Sequence, residues 1–216
     1  MENFMIVLEF VGTIAFAISG ALVAIGAGMD LFGVVFLGVI TAIGGGITRD
    51  IIIGNHPPLI FENSKLILIA IVVSVFIFFI AYTQRKKYPL IKTKIEVINN
   101  LFDALGLAVF SVSGVEVGYT SGVSDNFLIL VVIGMFTGVG GGIFRDVLTD
   151  ATPFIFKKHI YAIASIIGSS LYIALRNYFH SAEIPSMIAM TVIFVIRLLS
   201  TIFRWKLPRI KTDPSI

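Results

Sequence analysis

Seven mostly apolar stretches of roughly 20 residues follow one another along the 216-residue chain, near 4–28, 32–53, 64–83, 97–119, 126–149, 159–178 and 185–203. A helix of that length, rising 1.5 Å per residue, crosses roughly 30 Å of hydrocarbon. Inside a bilayer the backbone must satisfy its own hydrogen bonds, so only helices or a closed barrel can span it. These runs are continuous and do not alternate, which argues against a barrel. Hydrophobic residues make up 57% of the chain and charged ones 13%, more apolar surface than a soluble domain of this size can hide. The expected fold class is an all-α membrane protein: seven transmembrane helices forming a single integral membrane domain over 1–216.

Lysine and arginine set the orientation. Arg85, Lys86, Lys87, Lys92 and Lys94 lie between spans three and four, Lys157 and Lys158 between five and six, and Arg204, Lys206, Arg209 and Lys211 beyond span seven. All fall on one side if the N-terminus is outside and the C-terminus cytoplasmic, and the other side keeps Lys65 and Arg176. The net charge of +3 is therefore a topology signal, not a nucleic-acid footprint. Attraction of the Arg85–Lys94 loop to anionic membrane lipid is a secondary reading. The start, Met1-Glu2-Asn3-Phe4, lacks a basic n-region, so span one is read as a retained helix. No cysteine is present, which removes disulfide and thiolate chemistry.

The chain repeats itself. Ala15–Gly20 (AFAISG) resembles Val109–Gly114 (VFSVSG), and on the same offset of 94 Glu9 matches Asp103 and Gly12 matches Gly106. On an offset of 96, Gly38 matches Gly134, Thr41 matches Thr137, Pro57 matches Pro153, and GGGITRD at 44–50 matches GGGIFRD at 140–146. Repeat one covers about 4–83 and repeat two about 97–178, with an extra helix at about 185–203. Three spans per copy is an odd number, so the copies should enter the membrane from opposite sides, a 3+3 inverted repeat. Such repeats commonly build a path at the midplane from interrupted helices.

The doubled motif carries the candidate chemistry. Each glycine costs about 1 kcal/mol in a helix interior. A break in the lipid core is tolerated only where it faces protein or water. Gly44, Gly45 and Gly46, with Gly140, Gly141 and Gly142, are therefore expected to face the bundle interior and to break spans two and five beside a path. Asp50 would then suit the positive end of the half-helix beginning near Ile47. Close packing of small residues without a break is the competing reading. Arg49 and Asp50 are adjacent and point about 100° apart, so they are not expected to be each other's main partners. Matching depth instead pairs Glu9 with Arg49 and Asp103 with Arg145, one pair on each side of the midplane. Asp146 completes the set of motif charges. A carboxylate that neutralises an arginine fits a cation route, whereas a bare arginine would repel a cation. Such pairs can also do no more than fix helix register.

Glu9, Gly12, Phe16 and Ser19 share one face of span one, as Asp103, Gly106, Phe110 and Ser113 do in span four; this stripe suits a pore wall or an inter-helix contact equally. Phe16 and Phe110 read first as packing residues. Arg197 is expected to snorkel to the cytoplasmic face, and Glu116 to lie at the outer interface. His56, His159 and His180 lack metal-ligand spacing, so no metal site is assigned, and no cofactor is implied. No set of nucleophile, base and orienting group stands out, so an enzyme is not expected.

Seven spans, a three-plus-three inverted repeat and GGG-x-x-RD in both copies resemble the prokaryotic trimeric intracellular cation (TRIC) channels over about residues 4–203. The resemblance implies a homotrimer with one pore in each protomer, passing K⁺ and some Na⁺ as transient ions. It also implies a multi-pass protein of a prokaryotic inner (plasma) membrane. The glycine triplets would kink spans two and five around the pore, and Arg49, Asp50, Arg145 and Asp146 would be its motif charges. The Lys-Glu-Val signature of the animal relatives has no secure match here. The same prokaryotic domain is also associated with glycine transport. A half-helix N-terminus suits a carboxylate and backbone carbonyls suit an ammonium group, so a secondary carrier of glycine or another small neutral amino acid is the alternative.

Overall fold

A computed structural model describes residues 2–62, 64–85, 88–122, 126–157, 160–179 and 181–205. Lys86, Lys87, Lys158, His159, His180, Lys206, Arg209 and Lys211 lie outside the described residues. The elements are α1 (Glu2–Gly26), α2 (Leu31–Ile53), a 3₁₀ turn (Leu59–Phe61), α3 (Lys65–Thr83), α4 (Tyr88–Thr120), α5 (Phe127–Leu148), α6 (Phe154–Lys157), α7 (Ile160–Arg176) and α8 (Glu183–Ile202).

Local chemistry fixes several boundaries. Asp30 caps α2 by accepting from the Gly33 N–H at 2.8 Å, and Asn126 caps α5 through Leu128 and Ile129. Gly54, at φ 80°, ends α2 in the left-handed region that a side chain would disfavour. Expectation and structure differ at two elements. α4 begins at Tyr88, not near 97, because the polar Lys-Thr-Lys-Ile-Glu stretch continues the helix instead of looping. Among the described residues, six helices are long and apolar enough to cross a membrane. α7, with 17 described residues, covers about 25 Å and falls short of the hydrocarbon thickness.

α1, α2, α4 and α5 pack mutually at the centre. α3 lies against α1 and α2, burying only Ala70 and Ser74 along its length. Leu68, Val72, Phe76 and Phe79 therefore point outward, as lipid-facing residues should. α7 and α8 pack together against α4, and α7 also reaches α5.

The central contacts reciprocate. Gly12 of α1 lies under the Phe110 ring of α4, and Gly106 of α4 lies under the Phe16 ring of α1. The two rings stack at 5.3 Å between centroids. A Cβ on Gly45 would stand 2.0 Å from the Thr137 carbonyl oxygen, and one on Gly141 would stand 2.0 Å from that of Thr41. Gly38 abuts Ser74 and Gly134 abuts Ser169, so beyond the motif the two halves match on an offset of 95. α1 meets α4, and α2 meets α5, by the same surfaces in exchanged roles.

The glycine triplets do not break their helices. Hydrogen-bonded helix runs unbroken through Gly44–Gly46 in α2 and Gly140–Gly142 in α5. The expected half-helix ends are absent, and Asp50 sits in the last turn of a continuous helix. The triplets are buried, apart from the half-buried Gly46, because α2 and α5 cross there almost backbone to backbone. Small residues allow that approach, and packing compensates the weaker helix propensity.

Candidate functional site

Each motif aspartate binds its own arginine and pins the following loop. Asp50 Oδ1 accepts from Arg49 Nε at 2.8 Å, with Arg49 Nη2 also at 2.8 Å, and Asp50 Oδ2 accepts from the Leu59 N–H at 2.9 Å. Asp146 repeats this with Arg145 Nε at 2.9 Å, Arg145 Nη2 at 2.8 Å and the Phe154 N–H at 2.7 Å. The expectation that these neighbours avoid each other is therefore corrected. Their Cβ directions do diverge by about 100°. The long arginine stem nevertheless curls around the helix, and one carboxylate oxygen takes both donors on the guanidinium edge.

What the arginines do with their remaining donors separates the two halves. In the second half, Arg145 Nη1 donates to Asp103 Oδ1 at 2.8 Å and to Ser19 Oγ at 2.7 Å, and Ser19 donates to Asn99 at 2.8 Å. Tyr161 donates to Asp103 at 3.1 Å, and Arg197 Nη2 stands 3.5 Å from Asp103 Oδ2. The Arg145 guanidinium lies 4.8 Å over the Phe154 ring, and that of Arg197 lies 4.5 Å over the Tyr161 ring. Arg145, Asp103 and Tyr161 are buried, and so is Arg197, which does not snorkel: Asp103 and the Tyr161 face hold it inside the bundle.

The first half has the same backbone but not the same closure. Among the described residues Glu9 forms no ion pair with Arg49, so of the two expected pairs only Asp103–Arg145 is made. Two aromatic positions explain the difference: Leu59 stands where the second half has Phe154, and Leu66 where it has Tyr161. No eighth helix reaches this end to supply a counterpart of Arg197. A cavity of about 310 Å³ remains, lined among others by Glu9, Thr13, Gly46, Arg49, Leu66 and Phe110. Arg49 and Asp50 cancel in formal charge, so Glu9 and Glu62, which both line the cavity, leave it with two formal negative charges. Ser113, the counterpart of Ser19, is buried with its hydroxyl free of any protein partner. Phe110 lines this cavity and stacks on Phe16, and Arg145 bonds Ser19, one turn further along α1 than Phe16.

A further buried cluster falls where an interfacial Glu116 was expected. Glu116 is buried on α4, accepts from the Tyr172 hydroxyl of α7, and has Arg176 Nε at 3.6 Å. The motif and the repeat offset made Arg145, Asp103 and Ser19 legible in the sequence. Tyr161, Phe154 and Arg197 were missed, because the first half offers no polar or aromatic counterpart to flag them.

A bundle of apolar helices with a charged cavity in one half and a buried ion network in the other defines a polytopic membrane protein. The family model described as "Glycine transporter" matches residues 6–82 and again 100–177, and the chain belongs to that family. The "UPF0126 inner membrane protein YadS" of Escherichia coli (strain K12) is 39% identical over 96% of this chain and 97% of its own. The "UPF0126 membrane protein YvgT" of Bacillus subtilis (strain 168) is 33% identical over 93% of this chain and 94% of its own. Among solved structures, a prokaryotic TRIC channel in 0.5 M KCl superposes with a TM-score of 0.86, at 34% identity, covering 96% of this chain and 100% of that one. The TRIC orthologue from Rhodobacter sphaeroides superposes at 0.82, with 30% identity, over 93% and 98% of the two chains. The fold is thus that of the TRIC channels, and the chain is a multi-pass protein of the prokaryotic inner membrane, not an enzyme.

Proposed function

We propose that this protein is a gated channel for monovalent cations, K⁺ and also Na⁺, with one pore inside each protomer of a homotrimer. The carrying observation is the cavity in which Arg49 is neutralised by Asp50 while Glu9 and Glu62 also line the wall, Glu9 with no ion-pair partner among the described residues. An excess of carboxylates in a half-buried cavity attracts a cation and repels an anion. The Ser113 hydroxyl, buried without a hydrogen-bond partner among the described residues, is a further oxygen in the bundle interior.

In this reading the path leaves the cavity past Phe16 and Phe110 and follows the crossing of α2 and α5 at Gly44–Gly46 and Gly140–Gly142. It reaches the opposite side at Arg145, Asp103 and Asp146. Parting of the aromatic stack and loosening of the Arg145–Asp103 pair open it. Likeness to solved TRIC cation channels supports the assignment. The membrane domain comprises two oppositely inserted halves, about 4–83 and 97–178, and a helix at about 185–203. The N-terminus is outside and the C-terminus cytoplasmic, as the positive charges of the loops favour. Potassium efflux from proteoliposomes loaded with KCl tests the proposal. Release above that of protein-free vesicles supports it, and equal release rejects it.

A second reading has its own observation. Arg49 and Glu9 place a cation and a carboxylate in the same cavity, which suits the two ends of a small zwitterion, and the family model carries the description "Glycine transporter". Uptake of radiolabelled glycine into the same vesicles distinguishes carrier from channel.

A further inference from the structure

The second half contains polar groups for which the proposed cation path has no use. One buried face of α7 carries Tyr161, Ser165, Ser169 and Tyr172, spaced by four, four and three residues. Each lies at or near one contact line with α4 and α5. Tyr161 donates to Asp103 at 3.1 Å. Ser165 and Ser111 share a hydrogen bond of 2.7 Å in which either oxygen can donate. Tyr172 donates to Glu116. Ser169, between Ser165 and Tyr172, is buried with no protein partner for its hydroxyl. Hydroxyls thus run from one carboxylate to another over about 16 Å of helix.

Symmetric packing does not account for them. On the offsets that match the two halves, Ser111 corresponds to Ala17, Ser165 to Ala70, Tyr161 to Leu66, Tyr172 to Ile77 and Glu116 to Leu22. Ala17 and Ala70 are themselves fully buried, so the same helix contact closes without hydroxyls in the first half. Only Ser169 has a polar counterpart, Ser74, and that hydroxyl is turned back onto the Ala70 carbonyl at 2.7 Å. Burying hydroxyls where alanine and leucine suffice costs desolvation that each hydrogen bond only partly offsets.

We propose that this file is a proton relay running between Glu116 and Asp103 along α7, meeting the cation path only at Asp103. A proton taken up by the Glu116 carboxylate passes to the Tyr172 oxygen as the Tyr172 O–H proton moves on. A water held by the Ser169 hydroxyl carries it to the Ser165–Ser111 pair, a second water passes a proton from that pair to the Tyr161 oxygen, and Tyr161 gives its own O–H proton to Asp103. At each step one O–H bond breaks as another forms, and no tyrosinate accumulates. One proton enters and one leaves, to water beside Asn99, so no oxidant or co-reactant is needed. Carboxylate-terminated polar chains inside membrane bundles are the usual construction of proton routes.

The test uses the full-length protein in liposomes containing a pH-reporting dye, with the membrane potential clamped by K⁺ and valinomycin and a pH step applied outside. Proton uptake should exceed that of protein-free vesicles and slow in D₂O. Ser165→Ala, which installs the residue the first half already has, should bring uptake down to the protein-free rate. Tyr172→Phe should do the same without relying on one variant's folding. Potassium efflux, measured in parallel without valinomycin, should be unchanged in both. Proton uptake equal to that of empty vesicles, or uptake unaffected by both substitutions, overturns the relay. Loss of potassium efflux in the unaltered protein would remove the channel reading and leave the relay standing.

Discussion

Arg145 Nη1 and Asp103 Oδ1 stand 2.8 Å apart, while their repeat counterparts Arg49 and Glu9 make no ion pair among the described residues. One structural plan is therefore shut at one end and open at the other. The shut end has Tyr161, Phe154 and Arg197 around its carboxylate, and the open end has Leu66, Leu59 and a cavity.

The shut end depends on Asp103. It faces Arg145, Arg197 and the Tyr161 hydroxyl, all buried. Asp103→Asn keeps the shape but leaves two guanidinium groups with one carboxylate, Asp146, between them. Breaking a buried pair costs about 3–5 kcal/mol, so thermal unfolding in detergent should move to markedly lower temperature. An unchanged midpoint would mean the network carries no stability.

The open end should set ion preference. Glu9→Gln halves the cavity's net formal charge, leaving that of Glu62, while keeping its size. The reversal potential under a KCl gradient should move from near the K⁺ equilibrium value toward zero. An unmoved reversal potential would place selectivity elsewhere.

Neighbouring glycines should respond oppositely. Gly45→Ala puts a Cβ 2.0 Å from the Thr137 carbonyl, so α2 and α5 must separate. Overpacking of this kind costs about 1–3 kcal/mol, and Gly141→Ala should match it through Thr41. Gly46→Ala meets only the Arg49 guanidinium at 3.9 Å, and recovers up to about 1 kcal/mol of helix propensity. Chemical denaturation of the three variants checks the order.

The aromatic stack should behave as a constriction. Phe110→Ala removes one ring of the 5.3 Å stack and enlarges the cavity toward Arg145. Stability should fall by about 3 kcal/mol, while potassium efflux per folded protein rises. Slower efflux in folded protein would make the ring a support, not a barrier.

Much of this arrangement was legible beforehand, for physical reasons. Runs of apolar residues have one solution in a bilayer, so the helices were readable nearly end to end. The repeat offset aligned Glu9 with Asp103 and Ser19 with Ser113, which located both ends of the site. The glycine triplets announced a backbone peculiarity without saying which. Chain identity does not distinguish a helix that breaks from one that receives a neighbour's backbone, and Thr41 and Thr137 decide that only in three dimensions. The Arg49–Asp50 contact was missed because neighbour geometry was judged from Cβ directions, while the arginine stem is long enough to turn back. Arg197 and Glu116 resembled interfacial residues because their partners, Asp103, Tyr161 and Tyr172, are distant in sequence.

The central claim is that a negatively charged cavity leads into a cation path within each protomer. Single-channel recording of the purified protein in a planar bilayer, under a KCl gradient, tests it most directly. The account predicts discrete unitary currents that reverse near the K⁺ equilibrium potential. A silent bilayer, or currents reversing near the Cl⁻ potential, would contradict it.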